Sequence, residues 1–159
     1  MMIAPLTVDR IPDVEKLLAL GEPYIKLRGS SDYWLYAKLF STTCPVAVLN
    51  GEVVGCVIAF RSQDDPAEIY LQDVMTHPDH RRRGITRALV DEVRRQGSRW
   101  GCQRLYLTSE PVNRPAHAAW LALGFVNVEG DSQVDGVSLI SNYKGPGKHR
   151  AVYECLIGS

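Results

Sequence analysis

The segment Val74 to Leu89, VMTHPDHRRRGITRAL, constrains the fold most strongly, because a strand-like run there leads through a basic turn straight into a helix. The turn contains a single glycine, Gly84. Beyond it, apolar residues recur at helical spacing at Ile85, Ala88, Leu89 and Val93. The pattern predicts a helix to about Gln96, closed by Gly97. A strand that feeds a helix indicates a mixed α/β domain.

The segment before it has the composition of antiparallel strands. Asn50-Gly51 lies between the apolar runs Val46–Leu49 and Val53–Ile58, which is a strong signal for a two-residue hairpin. A third run, Glu68–Thr76, alternates until Asp73-Val74, where the break predicts a β-bulge. Three neighbouring strands are therefore expected before the basic turn.

Further helices and strands complete a single domain spanning residues 1–159. Apolar spacing predicts a helix over residues 11–20, and Asp32 can cap a second, aromatic-rich helix. A strand at Gln103–Thr108 precedes a helix capped by Asn113. The polar excursion from 131 to 148 is either a lid over a site or an ordinary long connection, and a last strand follows it at 151–157.

Composition argues against several classes of function. Lys plus Arg and Asp plus Glu both number 18, so no global charge draws the chain to nucleic acid or to an anionic membrane. The N-terminal segment is broken by charge and proline, which excludes a signal peptide or membrane span and favours the cytoplasm. The 4 cysteines lack CxxC spacing, so buried thiols are expected and no metal site.

The basic turn is a candidate anion site. The first N–H groups of a helix lack partners and its dipole favours negative charge. Gly84 has no Cβ, so a phosphate can approach the backbone there. Guanidinium groups form charge-assisted hydrogen bonds to phosphate oxygens. The surrounding arginines are Arg81, Arg82, Arg83 and Arg87. Taken alone, the cluster also fits a solvated surface turn or a nucleic-acid patch.

A second motif favours one of these interpretations. Arg81-x-x-Gly84-x-Thr86 resembles the CoA motif of the GNAT acetyltransferase family, and the run from Asn113 to Gly124-Phe125 is similar to that family's "N…A…Y…GF" helix. The order of predicted elements also matches the family. The resemblance implies a mostly antiparallel twisted sheet with a splayed parallel strand pair, flanked by about four helices.

The resemblance also implies acetyl-CoA as co-substrate and a set of residues that hold it. Backbone groups of the splayed strand would receive the pantetheine arm, the amides of the basic turn would hold the pyrophosphate, and the second motif would contact the cofactor farther along. The residues so implied are Val74, Met75, Thr76, Arg81, Arg82, Arg83, Gly84, Ile85, Thr86, Arg87 and Asn113.

Three positions depart from the family pattern. Thr86 replaces the usual Gly or Ala, and Gln72 stands where related diamine acetyltransferases have a glutamate. Trp120 occupies the position of a tyrosine that protonates the leaving thiolate, and indole cannot act as that acid. Water or another tyrosine, such as Tyr106, Tyr143 or Tyr153, could take its place.

The expected activity is transfer of an acetyl group to a primary amine of a small molecule: a diamine, an amino acid or an aminoglycoside-like compound. Asp73 and Glu110 are the candidate catalytic carboxylates, which would accept the proton of the amine. Either could instead be an ordinary carboxylate, at a strand end for Asp73 and in a surface loop for Glu110. Tyr33 and Gln72 are the candidate substrate-binding residues, and for Tyr33 the core is the competing location.

Two other functions and the oligomeric state stay open at this stage. The missing glutamate and tyrosine also fit a non-catalytic CoA-binding module, and an open groove would fit acetylation of a protein or peptide N-terminus. A homodimer is common among members of the family.

Overall fold

The computed structural model describes residues 1–158 and consists of one large sheet with helices on both faces. The strands are β1 (Met2–Pro5), β2 (Pro45–Leu49), β3 (Glu52–Arg61), β4 (Glu68–Thr76), β5 (Arg104–Ser109), β6 (Val126–Asn127), β7 (Ser132–Val134), β8 (Val137–Leu139) and β9 (Ala151–Leu156). Seven of them form the large sheet in the order β1-β2-β3-β4-β5-β9-β6, and a separate hairpin pairs β7 with β8. The helices are α1 (Ile11–Ala19), α2 (Ser30–Leu39), α3 (Ile85–Arg99) and α4 (Arg114–Ala122).

Two hydrophobic cores cover the two faces of the sheet. Ile85, Leu89 and Val93 of α3 pack in the first core with Leu71 and Leu107 of the central strands. The second core brings together α1 and α2, through residues that include Val14, Leu18, Tyr33 and Ala37, with Met75 of β4. The mixed α/β class is therefore confirmed, with α3 on one face and the first two helices on the other.

Every neighbouring pair in the large sheet is antiparallel except β4 with β5. That parallel pairing runs from Glu68–Arg104 to Leu71–Leu107 and then stops, although β4 continues to Thr76. Beyond Leu71, β4 pairs with β3 alone, and the sheet opens into a wedge between β4 and β5. The expected splayed parallel pair is confirmed.

A bulge at Gln72 sets the direction of the side chains at the wedge. Leu71 pairs with Ala59 and Asp73 with Ile58, so Gln72 is the extra residue of β4, one position before the predicted break at Asp73-Val74. Because residues two apart in a regular strand share a face, the bulge turns Asp73 away from the core that holds Leu71. Met75, two residues later, packs in the second core, on the side of α1 and α2.

The hairpin prediction is confirmed at Asn50-Gly51. Both residues have left-handed backbone angles, φ 52° and 78°, as a type I′ turn requires. This tight turn lets β3 follow β2 directly.

Two predicted helix boundaries are wrong. Helix α3 continues through Gly97 to Arg99 and stops before Gly101, which has φ 76°. Gly97 serves packing, because a Cβ there would lie 2.6 Å from Cδ1 of Ile157. Helix α2 begins at Ser30 after Gly29 without a side-chain cap, so Asp32 is in its first turn.

The N-terminus and the polar excursion contain strands that the sequence pattern did not predict, whereas the predicted last strand is present as β9. Strand β1 adds to the edge of the sheet beside β2, and the β7–β8 hairpin forms within residues 131–148. Across residues 1–158, no helix has the length and apolar character needed to cross a membrane.

Candidate active site

A cavity of about 880 Å³ opens at the wedge between β4 and β5. Its walls come from the second half of β4, the end of β5, the α1–α2 connector over residues 21–28, the first turn of α3, and α4. Lys144 and Arg150 from the tail complete the lining. The cavity thus lies where the strand pair stops, between the two helical layers.

On the α3 side, the backbone of the basic turn is shaped for close approach. Gly84 precedes the helix with φ 74° and ψ 13°, and in the described part of the chain no side chain caps the first turn. Arg82 also has a positive φ, 65°. A left-handed residue before an uncapped helix start leaves N–H groups facing outward, which suits an anion.

The residues predicted to hold the cofactor occupy different positions around this turn. Val74, Met75, Thr76, Arg81, Thr86 and Asn113 line the cavity. Arg82, Arg83, Gly84 and Arg87 are exposed beyond its rim, and Ile85 is buried in the first core. Arg87 donates a hydrogen bond of 3.1 Å to the Ala122 carbonyl and so fastens α3 to α4.

Asn113 and Trp120 shape the α4 side of the cavity. Asn113 caps α4, its Oδ1 accepting from the Ala116 N–H at 3.3 Å, as the sequence predicted. Trp120 lines the cavity and packs edge-on against Phe125, with ring centroids 5.4 Å apart.

Asp73 is the most unusual side chain in the cavity wall. It is only 8% exposed, and its Oδ2 is buried without a hydrogen-bond partner among residues 1–158. Burial raises the pKa of this carboxyl, while the nearby charges of Arg28 and Lys144 lower it. An acid with these properties suits the binding of a cation or the acceptance of a proton.

Of the other residues predicted on the acceptor side, two line the cavity and one does not. Gln72 lines the cavity from the bulge, and Glu110 lines it beyond the end of β5. Tyr33 is fully buried in the second core and is not among the lining residues. Its hydroxyl accepts a hydrogen bond of 3.1 Å from the Arg28 backbone N–H. Tyr33 therefore holds the α1–α2 connector in place from the second core and does not face the cavity.

Several residues that line the cavity belong to no recognisable sequence motif and were not predicted. The connector residues 21–28 look like an ordinary turn, and Lys144 lies in the polar excursion. In the structure, Lys144 Nζ is 2.5 Å from the Tyr70 hydroxyl and 5.0 Å from the centroid of its ring. The Tyr70 hydroxyl also lies 3.1 Å from Thr108 Oγ1.

The tyrosines suggested as substitute acids lie away from the cavity. Tyr106, Tyr143 and Tyr153 do not line it, whereas Tyr24 and Tyr70 do. Burial raises the pKa of Tyr153 to about 12, and its hydroxyl is 2.7 Å from Nδ1 of His117. Tyr153 is therefore a poor proton donor at neutral pH.

Comparisons with known proteins agree with this geometry. The model of the acetyltransferase (GNAT) family matches residues 12–125. An L-2,4-diaminobutyric acid acetyltransferase of Nocardia farcinica is 31% identical over 105 residues, which are 66% of this chain and 54% of that protein. The chain thus spans about half the length of this curated relative.

Solved structures share the fold over nearly the whole chain. The diaminobutyrate acetyltransferase of Paenibacillus lautus, solved with L-2,4-diaminobutyric acid and coenzyme A, aligns with a TM-score of 0.76 and 22% identity, covering 99% of this chain and 93% of that one. The ribosomal-protein-S18-alanine N-acetyltransferase of Escherichia coli aligns with a TM-score of 0.72 and 18% identity, covering 99% and 94%. Because the family model covers most of the chain, the protein belongs to the acetyltransferase (GNAT) family.

Proposed function

We propose that this protein transfers the acetyl group of acetyl-CoA to a primary amine of a small molecule bound in the cavity between β4 and β5. The observation that carries the proposal is the carboxylate of Asp73, which is buried in the cavity wall without a hydrogen-bond partner among residues 1–158. It lies directly after the Gln72 bulge, where β4 parts from β5.

The acetyl-CoA end of the site is supported by backbone geometry and charge. From Gln72 to Thr76, the edge of β4 that faces β5 is outside the ladder, so its backbone groups are free for the pantetheine amides. Arg81–Thr86 would hold the pyrophosphate through the amides of the uncapped helix start and the exposed guanidinium groups.

The acceptor end is supported by the chemistry of Asp73. A carboxylate whose pKa is raised by burial is a stronger base than an exposed one, and it attracts an ammonium group. In the proposed reaction the amine nitrogen forms a bond to the acetyl carbon and the carbon–sulfur bond breaks. Asp73 accepts the amine's proton, and the thiolate takes a proton from solvent or remains ionised.

Orientation and polarisation supply the rest of the rate enhancement. The wedge holds two substrates against each other, which removes much of the entropic barrier. A backbone N–H near Val74 would donate to the thioester oxygen, where negative charge develops. This scheme uses residues of this chain and no metal.

A small acceptor is supported by the polar excursion. Lys144 reaches Tyr70 from residues 131–148, so this segment forms part of the cavity wall, which favours a small acceptor over a long peptide. The relatives named for diaminobutyric acid point the same way. We propose that the acceptors include diamino acids about as large as L-2,4-diaminobutyric acid.

The test is thiol release from acetyl-CoA with a panel of polyamines, amino acids including L-2,4-diaminobutyric acid, aminoglycosides and a peptide N-terminus. We expect activity with small amines, and a fall of about 100-fold in kcat for Asp73→Asn, the usual scale for loss of a general base. The matched control is Asp64→Asn, which changes an exposed aspartate outside the cavity.

Calorimetric titration with acetyl-CoA separates binding from chemistry. Asp73→Asn should bind acetyl-CoA like the wild type. Tight binding without thiol release above the uncatalysed rate for any amine would make the protein a non-catalytic CoA-binding module. Activity restricted to the peptide would contradict the small-molecule assignment.

A further inference from the structure

We infer that the acceptor carries a carboxylate as well as the reacting amine, and that Arg28 and Lys144 bind this carboxylate. This inference rests on the proposed function.

Arg28 presents an unsatisfied cation to the cavity. It lies in the α1–α2 connector, is half-buried and lines the cavity. Its Nε is buried without a hydrogen-bond partner among residues 1–158, and its hydrogen bond to Tyr33 uses only the backbone N–H. A buried guanidinium nitrogen without an acceptor is costly, so an anionic ligand there would stabilise the site.

Lys144 approaches the same cavity from the other end of the chain. Its turn is fixed by two hydrogen bonds of Asn142, which donates its N–H to His149 Nδ1 at 2.9 Å and accepts at Oδ1 from the Gly147 N–H at 2.8 Å. The ammonium has three N–H donors. Its described hydrogen bond is to Tyr70, which leaves donors for a ligand.

The cavity keeps opposite charges apart. Asp73, Arg28 and Lys144 all line it, yet neither cation forms an ion pair with an acid within 4.0 Å in the described chain. A zwitterion can satisfy both signs at once, its amine at Asp73 and its carboxylate at the cations. A polyamine or an aminoglycoside brings only positive charge and would leave Arg28 and Lys144 unpaired. The arrangement therefore favours an amino acid.

Pairs of acceptors that differ only in the carboxyl group test this inference. The pairs are L-ornithine with putrescine, L-lysine with cadaverine, and L-2,4-diaminobutyric acid with 1,3-diaminopropane. We expect the wild type to prefer the amino acid by about tenfold or more in kcat/KM for at least one pair, the scale of one charge-assisted hydrogen bond.

Charge-removing variants then assign the preference to residues. Lys144→Gln and Arg28→Gln should each reduce the ratio of kcat/KM between amino acid and diamine by about tenfold, mainly through the KM of the amino acid. Lys148→Gln removes a cation from the same turn but not from the cavity, so it should keep the wild-type ratio. Since Lys144 is exposed, its variant is expected to fold even if Arg28→Gln does not.

The other outcomes are distinct. Equal or greater activity with the diamines, or an unchanged ratio in both variants, overturns this inference and leaves the proposed function standing. Weaker acetyl-CoA binding by titration, with equal losses for both members of a pair, assigns the cations to the CoA phosphates and also overturns it. If no member of any pair is acetylated, the proposed function fails and the inference with it.

Discussion

The hydroxyl oxygens of Thr76 and Thr86 lie 2.7 Å apart, which ties the last residue of β4 to the first turn of α3. The family motif usually has Gly or Ala at the position of Thr86. Here the hydroxyl of the larger side chain contacts Thr76 and so links the splayed strand to the start of the helix. The departure is thus consistent with the predicted anion site, because it joins β4 to the helix start.

Replacing Thr86 with Val should destabilise the protein while keeping the shape of the side chain. The Thr76 hydroxyl loses its partner in a half-buried position, so we expect the free energy of unfolding to fall by about 1 kcal/mol in urea denaturation. Thr86→Ser keeps the hydroxyl and serves as the control. Equal losses in the two variants would show that the hydrogen bond does not stabilise the fold.

Gly84 and Gly101 form a matched pair for testing the pyrophosphate assignment. Both have left-handed backbones, φ 74° and 76°, and a Cβ at either would meet no atom of residues 1–158 within 4 Å. Substitution by Ala should therefore cost each variant a similar strain of about 1 kcal/mol. Only Gly84→Ala should also weaken acetyl-CoA binding, by about tenfold or more in calorimetric titration, since only that Cβ lies at the predicted phosphate site.

A stronger substitution extends this test. Gly84→Glu adds negative charge at the helix start and should abolish acetyl-CoA binding. Intact binding in this variant would show that the turn does not hold the pyrophosphate.

The buried carboxyl of Asp73 should make stability depend on pH. Burial raises its pKa in the folded protein above the ordinary 3.8, so the folded state binds the proton more tightly than the unfolded state does. The stability that this proton provides is complete below pH 3.8 and is lost as pH rises through the raised pKa. At neutral pH the ionised carboxylate therefore destabilises the fold.

Asp73→Asn removes this penalty. We expect a higher free energy of unfolding than wild type at pH 7, with the advantage shrinking as pH falls towards 4, measured by urea denaturation across that range. Asp64→Asn should track the wild type throughout. A stability difference that does not change with pH would argue against a raised pKa for Asp73.

The parts of the fold that depend on local chemistry were predictable. The Asn50-Gly51 turn follows from backbone preference, and the Asn113 cap follows from side-chain hydrogen bonding to the next turn. Gly97 shows the limit of this reasoning. The neighbouring sequence does not distinguish a glycine that ends a helix from one that is needed for close packing against a distant side chain, here Ile157.

The acceptor side of the site depends on contacts between distant segments. Lys144 and Tyr70 are separated by 74 positions, and no spacing rule links them. The direction of Asp73 depends on a bulge at Gln72, since a slip of one residue exchanges the two faces of a strand. Motifs therefore predicted the cofactor-binding turn, whereas the opposing charges of the proposed acceptor site became visible only in the assembled fold.

Gly55 shows how closely α3 packs on the sheet beneath the basic turn. A Cβ at Gly55 would lie 2.8 Å from Ile85 Cγ2, 3.0 Å from Leu89 Cδ1 and 3.3 Å from the Met75 carbonyl oxygen. Gly55→Ala should therefore lower the free energy of unfolding by about 2 kcal/mol, in the range of overpacked cores. Because Ile85 directly follows Gly84, the displaced helix should also bind acetyl-CoA less tightly in calorimetric titration.

A double-mutant cycle tests whether the Ile85 contact is the cause. In the background Ile85→Ala, where Cγ2 is absent, Gly55→Ala should cost less stability than it does in the wild type. Equal costs in the two backgrounds would show that the clash lies elsewhere. A smaller cost would show that the contact with Ile85, at the start of α3, is what requires glycine at position 55.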